Sequence, residues 1–173
     1  MNQIKFRKLV YGGLLAAVIA LLTAFIKLPV PVTNGYIHIG DGAIFLAAAL
    51  LGPYAAIPAA IGSALADMLG GYYIYMLPTA IIKGVMGLLA GRFMSQKALS
   101  VKNIMVLVIS ELLMVAGYFG FEWVMYGFAA ALGAVVPNLV QGAAGVVLGL
   151  VFTGACSRLS RTSAAVRSVL NGK

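Results

Sequence analysis

The chain is organised as long apolar runs separated by short polar or basic stretches. Six runs stand out, over about 9–26, 41–51, 53–69, 72–91, 104–126 and 129–156. Several reach the ~20 residues that a helix needs to cross a ~30 Å hydrocarbon core. The run at 41–51 does not: at ~1.5 Å per residue it covers about 17 Å, so it is tilted, thinly covered by lipid, or re-entrant. Gly52-Pro53 interrupts what would otherwise be one continuous run from Gly42 to Gly71. Proline lacks a backbone donor and drives its predecessor out of the helical region, which predicts a turn there. The expectation is an all-α integral membrane protein, a single domain built as a six-transmembrane-helix bundle.

Composition supports lipid as the surrounding solvent. The chain is 62% hydrophobic and 9% charged, against roughly 25% charged residues in soluble domains. Lys5, Arg7 and Lys8 before the first run resemble a signal-peptide n-region, but the run is too long for a signal h-region and others follow it, so it reads as the first transmembrane helix. The net charge of +8 does not form a nucleic-acid patch, because the cations flank the apolar runs. Lys5, Arg7 and Lys8, then Arg92, Lys97 and Lys102, then Arg158, Arg161, Arg167 and Lys173 make three basic clusters. The positive-inside rule places all three, and so both termini, in the cytoplasm. Four crossings between Lys8 and Arg92 satisfy it, Lys27 is left as the one outer cation, and residues 158–173 read as a cytoplasmic tail.

Small residues recur at helical spacing. Ala16, Ala20 and Ala24 form a flat stripe on the first helix, which suits packing inside the bundle or docking of another protein. Gly87 and Gly91, and Gly145 and Gly149, are expected to pack inside the bundle.

The four acidic residues, Asp41, Asp67, Glu111 and Glu122, all lie in or at the edge of apolar runs, as does Lys83. An ionisable group at mid-membrane costs at least about 2.5 kcal/mol and must face the bundle interior with a partner. Lys83 and Glu111 fall at similar depth and are placed to pair, either as a structural ion pair or as the floor of a substrate site. Other polar groups gather toward the outer end: His38 and Asp41 at the start of the second run, Asp67 at the end of the third, Tyr75 at the start of the fourth, Tyr118 and Glu122 on the fifth, Asn138 and Gln141 on the sixth. Tyr118 and Glu122 share a helix face, as do Asn138 and Gln141. Aromatic surfaces with carboxylates and amides suit a small planar ligand with several hydrogen-bonding atoms. The aromatics also suit an interfacial belt, Asp41 suits a helix N-terminus, and His38 suits an interfacial loop.

Catalytic signatures are missing. One histidine and one cysteine make no metal site or Cys/His pair, Cys156 reads as a packing residue, and no phosphate-binding glycine loop is present. No internal inverted repeat of the secondary-transporter kind stands out. No cofactor is expected.

Five stretches carry a resemblance: Tyr36-Ile-His-Ile-Gly-Asp-Gly, Gly62-Ser-Ala-Leu-Ala-Asp67, Leu77-Pro-Thr-Ala-Ile-Ile-Lys-Gly84, Glu111-Leu-Leu-Met-Val-Ala-Gly-Tyr-Phe-Gly-Phe-Glu122 and Val136-Pro-Asn-Leu-Val-Gln141. Together they resemble the S components, the substrate-binding subunits, of energy-coupling factor (ECF) transporters, over nearly the whole chain. The resemblance implies capture of a vitamin-like micronutrient at the outer end, under a lid formed by the loop between the first two helices. It implies a transmembrane coupling subunit and two ATPase subunits as partners, with Ala16, Ala20 and Ala24 as the docking stripe. The pattern around Glu111 and Glu122 looks closest to members for hydroxymethylpyrimidine or pyridoxine-type vitamins; related sequences are linked to riboflavin and queuosine precursors. In that setting Lys83 meets an anionic or oxygen-rich group of the ligand, and Glu111 or Glu122 accepts from a pyrimidine amine. A self-sufficient carrier or channel using Lys83 and Glu111, and a membrane enzyme or assembly factor, are the competing expectations.

Overall fold

The computed structural model describes residues 3–95 and 99–162. Among them the elements are α1 (Gln3–Phe25), β1 (Lys27–Val30), β2 (Gly35–His38), α2 (Asp41–Leu51), α3 (Ala56–Gly70), α4 (Met76–Phe93), α5 (Val101–Tyr126) and α6 (Phe128–Thr162). Five stretches are long and apolar enough to cross a bilayer: Phe6–Phe25, Asp41–Gly70, Tyr73–Phe93, Val101–Tyr126 and Phe128–Arg158. Helix is the form such segments take, because lipid offers the backbone no partners. Lys97, Arg167, Lys173 and most of the expected tail lie outside the described residues; α6 itself continues past Arg158 to Thr162.

The stretch Asp41–Gly70 is two helices that reverse direction at a tight turn. Gly52 has a φ of 61°, a left-handed value that glycine adopts without strain, and Pro53 follows at the start of a 3-10 turn. The Asp41 side chain meets Lys83, the eighth of the 18 residues of α4. A side chain at Gly91, near the far end of α4, would collide with the Gly52 carbonyl. α2 therefore runs alongside α4 in the same direction, starting about halfway along it. α3 returns antiparallel, with Ala55 and Ala59 against Gly87 and its end, Asp67, back at the level of β2. The short second run is thus a half-length helix whose upper half is replaced by the β1–β2 hairpin.

The loop expected between the first two helices contains this short hairpin, in a chain that is otherwise helical. Lys27 pairs with His38 and Val30 with Gly35, antiparallel, and Asn34 takes a φ of 49° at the turn. α4 also starts later than expected, at Met76. Gly71, at φ 79°, ends α3, and the Tyr72 amide returns to the Asp67 carbonyl at 2.8 Å while the Gly71 amide reaches that of Met68. This cap feeds a 3-10 turn at Tyr73–Tyr75 that delivers the Tyr75 ring inward.

Away from the hairpin, small residues let the helices close on fully buried Ile19, Ile44, Phe45, Met86 and Leu107. Gly149 packs on Phe45, and Gly87 and Gly91 pack on the α2–α3 turn, inside the bundle as expected. The alanine stripe is internal too. Ala16 and Ala20 are buried, and a side chain at Gly62 of α3 would run into the Ala16 carbonyl. The face expected to dock a partner is covered by α3, because Gly62 lets the two backbones approach closely; Ala24 is half-buried. Gly12 of α1 lies near Tyr54 and Thr23 near Gly40, so α1 rises toward the hairpin. In α6, Gln141 lies at the hairpin and Gly149 against Phe45 of α2, so α6 descends. The start of α1 and the far end of α6 therefore share the end of the bundle opposite the hairpin, where Arg7, Arg92, Lys102 and Arg158 are exposed.

Candidate ligand-binding site

Beneath the hairpin lies a small cavity lined by Gly35, Tyr36, His38, Asp67, Tyr75, Thr79, Tyr118, Glu122, Asn138 and Gln141. Four helices and β2 each contribute. Thr79 and Lys83 stand four apart on α4, with Tyr75 four residues earlier in the preceding 3-10 turn, Tyr118 and Glu122 stand four apart on α5, and Asn138 and Gln141 three apart on α6, so each helix presents one polar face inward. The structure thus brings together the anticipated His38, Asp67, Tyr75, Tyr118, Glu122, Asn138 and Gln141. Tyr36 and Thr79 were not anticipated. Thr79 was legible as the middle of the Tyr75–Lys83 stripe; Tyr36 required the hairpin.

The cavity measures about 20 Å³, room for about one water molecule. A ring-shaped ligand therefore enters only if the hairpin moves away. The hairpin is held by identifiable contacts. The Tyr36 hydroxyl donates to Asp67 Oδ1 at 2.7 Å, and the Tyr75 hydroxyl donates to the Thr33 carbonyl at 2.6 Å. The His38 amide donates to Gln141 Oε1 at 3.0 Å. Lys27 lies over the rings of Tyr36 and Tyr72, at 5.1 and 4.9 Å from their centroids. Aromatic contacts back the walls: Tyr36 meets Tyr72 at a 45° tilt with centroids 4.4 Å apart, and Tyr75 meets Phe121 edge-on at 5.2 Å. Burial, reinforced by Asp67, holds the Tyr36 hydroxyl well above its ordinary pKa, so it acts as a donor. Burial likewise pushes His38 down to about 4, with Asp41 opposing and Lys83 assisting. His38 is neutral at physiological pH: its Nδ1 accepts from the Gly40 amide at 3.0 Å, which leaves the proton on Nε2.

Below the cavity the ionic pairing differs from the expected one. Lys83 bonds Asp41, at 2.6 Å, and not Glu111. Both side chains are fully buried, and Gln141 Nε2 donates to the second Asp41 oxygen at 2.7 Å. Asp41 therefore serves as the lysine's counter-ion and makes no helix cap. Lys83, paired in this way, does not line the closed cavity and lies beneath the Tyr118 ring, 5.6 Å from its centroid. Glu111 is 4% exposed, and neither carboxylate oxygen has a hydrogen-bond partner. Its oxygens sit where side chains at Gly142 and Gly145 of α6 would be. It edges a second cavity of about 220 Å³ between α5 and α6, otherwise walled by aliphatic residues, glycine and alanine. Trp123 stands outside the site: it is 52% exposed and packs on Phe119 and Phe128 in a surface aromatic cluster.

A polar, aromatic-walled cavity at one end of an apolar bundle, closed by a short hairpin, is suited to holding a small water-soluble molecule. Comparison with known proteins agrees. Residues 3–158 match the model of the family described as ECF-type riboflavin transporter, S component. Over 155 residues the chain is 31% identical to the thiamine precursor transporter HmpT of Lactococcus lactis subsp. cremoris, which covers 88% of this chain and 89% of the relative. Over 132 residues it is 32% identical to an uncharacterized protein in the gap 3′ region of Pyrococcus woesei, covering 76% of this chain and 88% of the relative. With its multi-pass architecture and a match running almost from end to end, the chain belongs to the ECF-type riboflavin transporter S component family, multi-pass proteins of the prokaryotic cytoplasmic membrane.

Proposed function

We propose that the protein captures a small water-soluble vitamin or vitamin precursor in the cavity beneath the hairpin, and that a hydroxymethylpyrimidine or pyridoxine-type compound is the ligand. The chain crosses the membrane six times with both ends in the cytoplasm, and import depends on a coupling subunit and two ATPases in other chains. The observation that carries this reading is the convergence of Asp67, Tyr75, Tyr118, Glu122, Asn138 and Gln141, from four helices, on one cavity roofed by the hairpin. Aromatic walls provide burial for a ring, and the amides and carboxylates orient it. The exposed Arg7, Arg92, Lys102 and Arg158 at the opposite end support the orientation. The relative named as a thiamine precursor transporter favours the pyrimidine over other vitamins. Riboflavin is the second reading, favoured by the family description; its three-ring system requires a larger displacement of the hairpin. The lack of a Lys83–Glu111 pair weighs against a self-sufficient carrier built on those two residues.

Calorimetric titration of the purified chain with hydroxymethylpyrimidine, pyridoxine, thiamine, riboflavin and queuine tests the capture step. Saturable binding of one compound is expected. Substrate accumulation in liposomes containing this chain alone would overturn the dependence on partner ATPases.

A further inference from the structure

The charge distribution at the cavity is one-sided. Asp67 on α3 and Glu122 on α5 line it, 2% and 4% exposed. Each places one oxygen near a tyrosine hydroxyl, and the other oxygen of each is buried without a partner. Tyr75 has a single hydroxyl proton, and the Thr33 carbonyl at 2.6 Å is nearer to it than Glu122 Oε1 at 3.2 Å. No lysine or arginine lines the cavity among the described residues. Lys83 is held by Asp41, and Lys27 lies over the tyrosine rings; neither lines the cavity.

We infer that Asp67 and Glu122 select the ligand by its charge and donors, so that the site takes a heterocycle with hydrogen-bond donors at two separated positions and excludes its phosphate monoester. The inference rests on the proposed capture function and goes on to name what the site rejects. A buried acceptor without a donor is costly, so closing the hairpin over a ligand is favourable only if the ligand supplies donors to Asp67 Oδ2 and Glu122 Oε2. An exocyclic amine and a hydroxymethyl group on opposite sides of a ring do this. A ring nitrogen can then accept from the Asn138 amide or from Nε2 of His38, whose Nδ1 is already engaged. A phosphate ester replaces a donor by a group carrying close to two negative charges, brought against two carboxylates in a water-poor site.

The test is calorimetry on the full-length chain with two pairs of ligands. These are 4-amino-5-hydroxymethyl-2-methylpyrimidine with its phosphate monoester, and pyridoxine with pyridoxine 5′-phosphate. Whichever parent compound binds, its ester is expected to bind at least about 100-fold more weakly. In Asp67→Asn and Glu122→Gln the parent weakens by about 10-fold or more, while the parent-to-ester ratio narrows. A purely structural role would weaken both members of a pair alike and leave the ratio unchanged. An ester bound as tightly as its parent by the wild-type chain would overturn the inference and leave the capture function standing. Folded protein that binds no vitamin in the wider panel would overturn the capture function itself, and the inference with it.

Discussion

Around the α2–α3 turn, where Gly52 faces Gly91, Phe45, Met86 and Leu107 are fully buried and glycines set the helix spacing. At the other end, around the cavity, the buried groups are carboxylates, hydroxyls, amides and an imidazole, and Asp67, Glu122 and Thr33 each retain a buried oxygen without a partner. The first region is mainly apolar and holds the helices together. The second is incompletely satisfied and is closed by a hairpin of four-residue strands. The difference shows where this bundle is tuned for packing and where for ligand exchange, since unsatisfied polar groups give up stability that a ligand restores. The Asp41–Lys83 pair sits at the boundary between them.

Breaking that boundary should have the largest effect. Lys83→Met leaves Asp41 buried with Gln141 as its sole partner, at a cost of roughly 3–5 kcal/mol. Thermal unfolding in detergent should show it, and the double variant with Asp41→Leu should recover most of the loss. A fully stable Lys83→Met protein would remove the pair from the account. Next comes Gly91→Leu, which drives a side chain into the Gly52 carbonyl. Overpacking of that kind costs roughly 1–3 kcal/mol, and folded variant should keep its ligand affinity within about two-fold, the site being distant.

The reverse pattern is expected at the cavity. Asn138→Ala and Glu122→Gln should weaken ligand binding about 10- to 100-fold while shifting stability by less than about 1 kcal/mol. Titration calorimetry beside thermal unfolding separates the two effects, and unchanged affinity in both variants would place the ligand elsewhere. Acid sharpens the contrast further. The His38 pKa is lowered from 6.5 to about 4, so the folded protein resists a proton that the unfolded chain accepts. Above pH 6.5 both states are neutral and the effect vanishes; below it, stability falls progressively down to about pH 4. His38→Gln should flatten that part of a stability profile. The smallest effect is expected from Trp123→Phe, which alters a half-exposed surface ring and should leave affinity within about two-fold.

The legibility of the site followed helix geometry. Tyr118 with Glu122, and Asn138 with Gln141, were readable as shared faces, and each pair reaches the cavity. Trp123, one residue from Glu122, points elsewhere because neighbours on a helix are about 100° apart. Counting residues placed Lys83 and Glu111 at one depth, but depth carries no direction around the bundle. Asp41 entered at the same level from α2, and it holds the lysine. The hairpin was hidden because strands of four residues leave little periodicity to read.

By itself, the sequence determined that this chain lives in lipid, roughly where its helices begin and end, and which polar residues had to face inward, because hydrocarbon accepts neither bare backbone nor unpaired charge. Only the tertiary structure decided which inward residues meet. It gave Lys83 to Asp41, left Glu111 beside Gly145, turned Ala16 onto Gly62, and bonded Tyr36 to Asp67. Those choices depend on the rotation and neighbours of each helix, which small-residue contacts set at close range.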